Sequence, residues 1–207
     1  MKHVAVGVHL RREDIEPLAT PIAAGELFFS AVAVPDDQPL GDRDLLVRVA
    51  NVRAQLLERA TFIAVRYGYT FAREVDAQQL GRWKRVLEAN SDRVEMTIKV
   101  AAASPRPRPD RAAFTSGAEY LRALHEATQG AAADPRFREE AERLLLPHAV
   151  QYRWTHRDEK SLELTLLVAR GDVDAVRSAG GTLKETGVPF LLSGPWPLEA
   201  FADADHE

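Results

Sequence analysis

The segment Val94–Val100, with the sequence VEMTIKV, alternates strictly between apolar and polar side chains. Val94, Met96, Ile98 and Val100 occupy every second position. Because successive side chains of a strand point to opposite faces, this spacing predicts a half-buried β-strand. We expect the polar residues between them to face either water or another domain. The strand opens a pattern that the rest of the chain continues.

Downstream of this strand, the sequence predicts two helices, two strands, a helix and a last strand. Ser116–Glu119 has capping-box spacing, and Asp134 followed by Pro135 is typical of a helix start. The later elements are the strands Val150–Trp154, Leu162–Val168 and Val188–Leu192, with a short helix capped by Asp172. This order, βαββαβ with an extra helix, is the ferredoxin-like split pattern. In that pattern the first and third strands are central and the last lies at an edge.

Upstream, the sequence predicts a second α/β unit with three strands and two helices. The predicted elements are the strands His3–Val8, Leu27–Val34 and Phe62–Arg66, a helix from about Arg43 capped by Asp42, and a helix over about Glu74–Ala89. We therefore predict an α+β protein of two domains. An N-terminal α/β domain covers residues 1–91, and a C-terminal ferredoxin-like domain covers residues 92–207. The proline-rich segment Ala101–Asp110 is interpreted as a semi-rigid connector.

Composition narrows the possible functions. The 207 residues are 45% apolar and 28% charged, with a net charge of −4 and no cysteine. This diffuse negative charge argues against nucleic acid as a main partner, and disulfides and thiolate metal sites are excluded. The N-terminal apolar stretch runs into the charged residues Arg11–Asp14, unlike a signal peptide. No window approaches the roughly 18 apolar residues that cross a bilayer, so we expect a cytoplasmic protein without a membrane span.

The sequence offers no convincing reactive centre. His125-Glu126 begins like a zinc-protease helix, but Gln129 stands where the second histidine is needed. His148 and His156 are too far apart to share one metal without further ligands. No nucleophile elbow or phosphate-binding glycine loop is present. We therefore predict no catalytic, metal-binding or cofactor-binding residues.

The last predicted strand ends in Ser193–Pro197, with the sequence SGPWP. Pro195 and Pro197 each lack an amide donor, so we predict that no sheet ladder runs through this segment. Trp196 precedes a proline and is therefore held extended. Its ring either closes the bottom of a core or serves as a rigid anchor for a partner.

The same segment resembles the C-terminal signature of the GvpL/GvpF family of gas vesicle proteins. Gly194–Pro197 followed by Phe201 is similar to the pattern Gly-Pro-Trp-Pro-Pro-Tyr-x-Phe, with Leu198 and Glu199 replacing Pro and Tyr. Other segments resemble the family in the same order along the chain. They are Phe62–Gly68, Val94–Val100, Gly117–Leu121 and the closing unit from Val168 to Trp196.

The resemblance implies an accessory protein of gas vesicle formation without catalytic residues. Its partners would be the small hydrophobic shell protein and other gas vesicle accessory proteins, and its location would be the cytoplasm and the gas vesicle. We expect partner contacts in a cleft between the domains, near Arg66, Tyr67 and Trp196, with Phe201 as a further contact residue.

Two other functions stay open from the residues alone. Ferredoxin-like units host many activities, so the alternative is an enzyme or small-ligand-binding protein, for which we expect a deep pocket with convergent polar groups. Nucleic-acid binding through Arg66, Arg106 and Arg108 predicts a steep dependence on salt.

Overall fold

A computed structural model describes residues 1–71, 75–100, 110–128, 135–158 and 161–202. Their contacts divide the chain into two compact units. Unit 1 is Met1–Glu95 together with the residues from Pro195 onward, and unit 2 is Met96–Gly194. The division into domains at residues 91 and 92 concerns which parts of the chain fold independently, and it stays a prediction.

Unit 1 is built on a four-stranded sheet in the order β2-β3-β1-β4, accompanied by two helices. The strands are β1 (Lys2–His9), β2 (Thr20–Ala24), β3 (Leu27–Val34) and β4 (Ile63–Ala64), and the helices are α1 (Arg43–Arg59) and α2 (Ala77–Ala89). Strand β2 is an addition to the predicted set. It is an edge strand that contains Pro21, and proline weakens the strand signal in a sequence.

Local signals explain the boundaries in unit 1. Asp42 caps α1 as predicted, because its side chain accepts a hydrogen bond from the Leu45 N–H at 2.9 Å. The hairpin between β2 and β3 turns at Gly25, whose φ of 61° favours glycine. The strand predicted over Phe62–Arg66 is shorter than expected, since only Ile63–Ala64 pairs with β1.

The second sheet has the order β6-β7-β5-β8. Its strands are β5 (Arg93–Val100), β6 (Gln151–Asp158), β7 (Ser161–Ala169) and β8 (Phe190–Trp196), and the helices between them are α3 (Gly117–Thr128), α4 (Pro135–Leu145) and α5 (Val173–Leu183). The first and third strands are central and the last lies at an edge, which confirms the ferredoxin-like order. The protein has an α+β fold, as predicted.

Two local predictions are wrong, one for strand β8 and one for helix α5. Strand β8 continues through Pro195, although we expected the ladder to stop before it; an edge strand tolerates a proline because one side of it needs no partner. Asp172 makes no side-chain capping bond to α5. The capping box of α3 is confirmed, since Ser116 Oγ accepts from the Glu119 N–H at 3.1 Å.

Strand β5 is more buried than its alternation suggested. The apolar face is enclosed as expected, but Glu95 and Thr97 on the other face are only 3% and 7% exposed. Lys99 alone of the three polar residues is exposed. A buried carboxylate needs hydrogen-bond donors. The donors to Glu95 are backbone N–H groups of residues 199–201, next to the candidate site.

Candidate protein-binding groove

The segment that follows β8 pairs with strand β4 of unit 1 at Leu198. The Leu198 N–H donates to the Phe62 carbonyl and the Ala64 N–H donates to the Leu198 carbonyl, both at 2.9 Å. Leu198 thus forms a parallel bridge with Ile63 and is fully buried. The first of these bonds needs an N–H at position 198, which a proline lacks.

The turn after Leu198 is held by the Glu95 carboxylate. It accepts hydrogen bonds from three successive backbone N–H groups, those of Glu199, Ala200 and Phe201, at 2.8, 3.1 and 3.0 Å. Burial raises the pKa of Glu95, while these three bonds act in the opposite direction. The carboxylate therefore fixes the backbone that follows the Gly194–Pro197 motif.

These anchors place Pro195–Pro197 beside helix α1, where an apolar cavity of about 360 Å³ lies between the two segments. We call this cavity the α1 groove. Its lining residues are Leu46, Val49, Ala50, Arg53, Ala54, Leu57, Tyr67, Pro195, Trp196 and Pro197. All of them belong to unit 1.

Trp196 stands half exposed at this groove. Its side chain is 48% exposed, and Leu46 on the α1 side is 42% exposed. Of the two roles that the sequence left open for Trp196, its exposure favours the anchor over the core plug, because about half of the residue is open to another molecule. An exposed indole beside an exposed leucine is typical of a surface that another molecule covers.

The other predicted contact residues lie in different settings. Tyr67 lines the groove, and its hydroxyl donates to the Leu40 carbonyl at 2.5 Å. Arg66 is exposed but is not among the lining residues. Phe201 is 7% exposed and belongs to the core. The structure thus brings Tyr67 and Trp196 together in one surface, and it leaves Phe201 as a packing residue.

Arg53 is the functional candidate that sequence reasoning missed. Its Nη2 atom donates to the carbonyls of Val6 and Val65 at 3.3 and 2.8 Å. Its Nε atom is enclosed and has no hydrogen-bond partner among the described residues. Burial lowers the pKa of the guanidinium, and the charge of Glu199 acts in the opposite direction. A signal was visible in the sequence, because Arg53 lies four residues from both Val49 and Leu57 and interrupts the buried stripe of α1.

Other features of the described chain offer less. A second hollow, of about 410 Å³, is lined by residues of α1 alone, between Asp44 and Gln55. Within the described ranges, no group of three His, Cys, Asp or Glu side chains is arranged to hold a metal ion. Over the same ranges, no helix combines the length and apolar character needed to cross a membrane.

Comparison with known proteins identifies the family of the chain. The family model described as gas vesicle synthesis protein GvpL/GvpF matches residues 16–203. The chain therefore belongs to the GvpL/GvpF family. A search of curated proteins found no match.

Two crystal structures share the fold. The gas vesicle protein GvpF from Anabaena sp. PCC7120 is similar with a TM-score of 0.71 and 10% identity, covering 100% of this chain and 98% of that one. GvpF from Microcystis aeruginosa is similar with a TM-score of 0.72 and 10% identity, covering 98% of this chain and 99% of that one. Both alignments cover nearly the full length of each chain.

Proposed function

We propose that this protein is an accessory protein of gas vesicle formation, and that it binds the hydrophobic shell protein or other gas vesicle proteins. Membership of the GvpL/GvpF family supports the gas vesicle role. The observation that carries the binding role is the half-exposed Trp196 beside the apolar α1 groove. We place this activity in the cytoplasm, at the gas vesicle.

The physical reason for such a protein lies in its partner. A shell subunit with a large apolar face aggregates unless that face is covered before assembly. A groove with a rigid aromatic side chain and the apolar face of a helix beside it covers such a face at small entropic cost. Tyr67 and Trp196 are the contact residues in this proposal, with Arg66 next to Tyr67 on the surface. Phe201 contributes by packing the turn that follows Trp196.

The test is co-purification with the shell protein from cells that express both. We expect the wild-type protein to retain the shell protein and Trp196→Ala to lose most of it. Tyr152→Ala is the matched control, because Tyr152 is an aromatic residue of unit 2 with a similar exposure of 49%. Circular dichroism of each variant checks that the fold is kept.

Deletion of the gene provides the second measurement. We expect fewer or misshapen vesicles, and rescue by Tyr152→Ala but not by Trp196→Ala. Normal vesicles after deletion, together with no retained shell protein, would contradict the proposal. A metabolite that stays bound to the purified protein would instead favour the alternative of a small-ligand-binding protein or enzyme.

A further inference from the structure

The α1 groove is apolar except for one cation. Nine of its lining residues carry no charge, and Arg53 is the tenth. No carboxylate among the described residues lies within ion-pairing distance of Arg53, and the two hydrogen bonds of its guanidinium both use Nη2. The charge of Glu199 acts on Arg53 from beyond ion-pairing distance, and a partly buried cation without a direct ion pair is costly unless another molecule supplies one. A groove with one cation among uncharged residues is complementary to a ligand that carries one acidic group on an otherwise apolar surface.

The walls of the groove decide which kind of backbone fits. One wall is the middle of α1, whose N–H and C=O groups are used inside the helix. The other wall is Pro195–Pro197, in which two of three residues lack an N–H. A strand or an extended peptide laid here would leave many of its own polar backbone groups unpaired. A helix satisfies its backbone internally and needs only side-chain contacts.

The length of the groove matches a short helix. The lining residues of α1 run from Leu46 to Leu57 at helical spacing. At 1.5 Å per residue this stripe is about 17 Å long, which is about three turns of a helix. A partner helix of that length would present apolar residues at i, i+3 or i+4 and i+7 along the stripe.

We propose that the α1 groove receives an amphipathic helix of the partner, with its apolar face on Trp196 and a carboxylate paired with Arg53. The inference rests on the proposed function only for the identity of the partner. The recognition itself follows from the groove: Trp196 and Leu46 supply area, and Arg53 fixes the register of the bound helix. An acidic side chain at the wrong position would leave both charges unpaired, so the pair selects one alignment.

The probe is a set of stapled peptides of about three turns. Each carries leucines at i, i+3, i+4 and i+7 and one glutamate, placed at a different point on the border of the leucine face in each peptide. A second set has lysine in place of glutamate. Binding of the labelled peptides to the whole protein is measured by fluorescence anisotropy. We expect at least one glutamate peptide to bind and its lysine counterpart to bind at least tenfold more weakly.

The protein variant for this test is Ala50→Glu. Ala50 is an exposed groove residue one turn before Arg53, so a glutamate there neutralises Arg53 and leaves its bonds to Val6 and Val65 in place. We expect this variant to lose about tenfold in affinity for the glutamate peptide and to gain for the lysine peptide. Gln55→Glu makes a comparable charge change at an exposed position of the same helix outside the groove lining, and it should alter neither affinity by more than about twofold.

The outcomes separate the two proposals. Absence of saturable binding by every peptide, or equal binding of glutamate and lysine peptides, would overturn the inference. So would a protein dimer that Ala50→Glu dissociates while no peptide binds, because the groove would then belong to a second copy of this chain. Peptide binding without shell-protein retention would leave the inference standing and remove the proposed function. If Ala50→Glu retains the shell protein as well as the wild type does, the proposed function stands and the inference about the α1 groove is overturned.

Discussion

His9 is a histidine enclosed in an apolar setting. It is fully buried, its Nε2 lies 3.0 Å from Ser30 Oγ, and its ring stacks on Phe62 at 4.8 Å between centroids. Burial lowers the pKa of His9 from 6.5 to about 3. Its neutral form is therefore the form that the fold requires.

We expect His9 to make the protein sensitive to acid. Between pH 6.5 and about 3 the unfolded chain binds a proton at His9 and the folded chain does not, so the stabilisation is complete above pH 6.5 and declines below it. This group lowers the free energy of unfolding by up to about 1.4 kcal/mol per pH unit in that window. Urea unfolding at pH 7, 6, 5 and 4 of the wild type and of His9→Gln measures this. The variant should have a shallower dependence on pH, and parallel curves would contradict the assignment.

Glu95 is the second residue on which unit 1 depends. Glu95→Gln keeps the size of the side chain and the acceptor oxygen for Glu199 and Phe201, but it turns an amide NH₂ toward the Ala200 N–H, which needs an acceptor. Leaving one such donor unpaired costs about 1–3 kcal/mol. We expect a loss of that size in the free energy of unfolding, measured with urea at pH 7. Glu58→Gln, at an exposed position of α1, is the control and should change the free energy by less than about 0.5 kcal/mol.

At the scale of elements, helix α5 continues through two adjacent glycines. Gly180 is buried, and a Cβ there would lie 2.5 Å from Leu192 Cδ2, so close packing against β8 explains the glycine. Gly181 is exposed, and a Cβ there would meet no atom within 4 Å. Packing thus requires a glycine at position 180 but not at position 181.

This difference gives a paired prediction. Gly181→Ala should raise the free energy of unfolding by about 0.5–1 kcal/mol, because alanine loses less backbone entropy in a helix. Gly180→Ala should gain nothing or lose stability, since Leu192 has to move. Urea unfolding of the two single variants checks this. Equal gains would show that Leu192 moves aside without cost.

Elements with strong local signals were predictable from the sequence. The alternation in Val94–Val100, the Asp42 cap and the Ser116 capping box each depend on a few neighbouring residues, and each is confirmed. The Asp172 cap was wrong because the residue type permits a cap but does not require one. The ferredoxin-like strand order was accessible because the order of elements along the chain restricts the possible topologies.

The candidate site was only partly predictable. Trp196 was indicated by the prolines on either side of it and Tyr67 by the family resemblance, but the groove between α1 and the proline segment depends on contacts across most of the chain. Glu95 was assigned to a face of unknown environment, since alternation separates the two faces of a strand without showing what covers them. Arg53 was passed over because a charged residue on a helix is usually assigned to the solvent side.

At the scale of the whole molecule, the residues after Trp196 complete unit 1. A chain that ends at Pro197 would lose the Leu198 bridge and leave the Glu95 carboxylate without its donors. We expect hydrogen exchange at the Ala64 amide to become faster in this truncated chain, because its acceptor is the Leu198 carbonyl. A chain that ends at Ala202 keeps these bonds and is the matched control. Equal protection in both chains would contradict the role of the closing segment.

The late position of Leu198 has a consequence for biosynthesis. The ribosome makes Ile63 long before Leu198, on the order of ten seconds earlier at ordinary elongation rates. During that interval β4 lacks its bridge to Leu198, and once Glu95 is made its carboxylate lacks its three backbone donors. The sheet of unit 1 therefore becomes complete only when residues 198–201 have been translated, about 100 residues after Glu95.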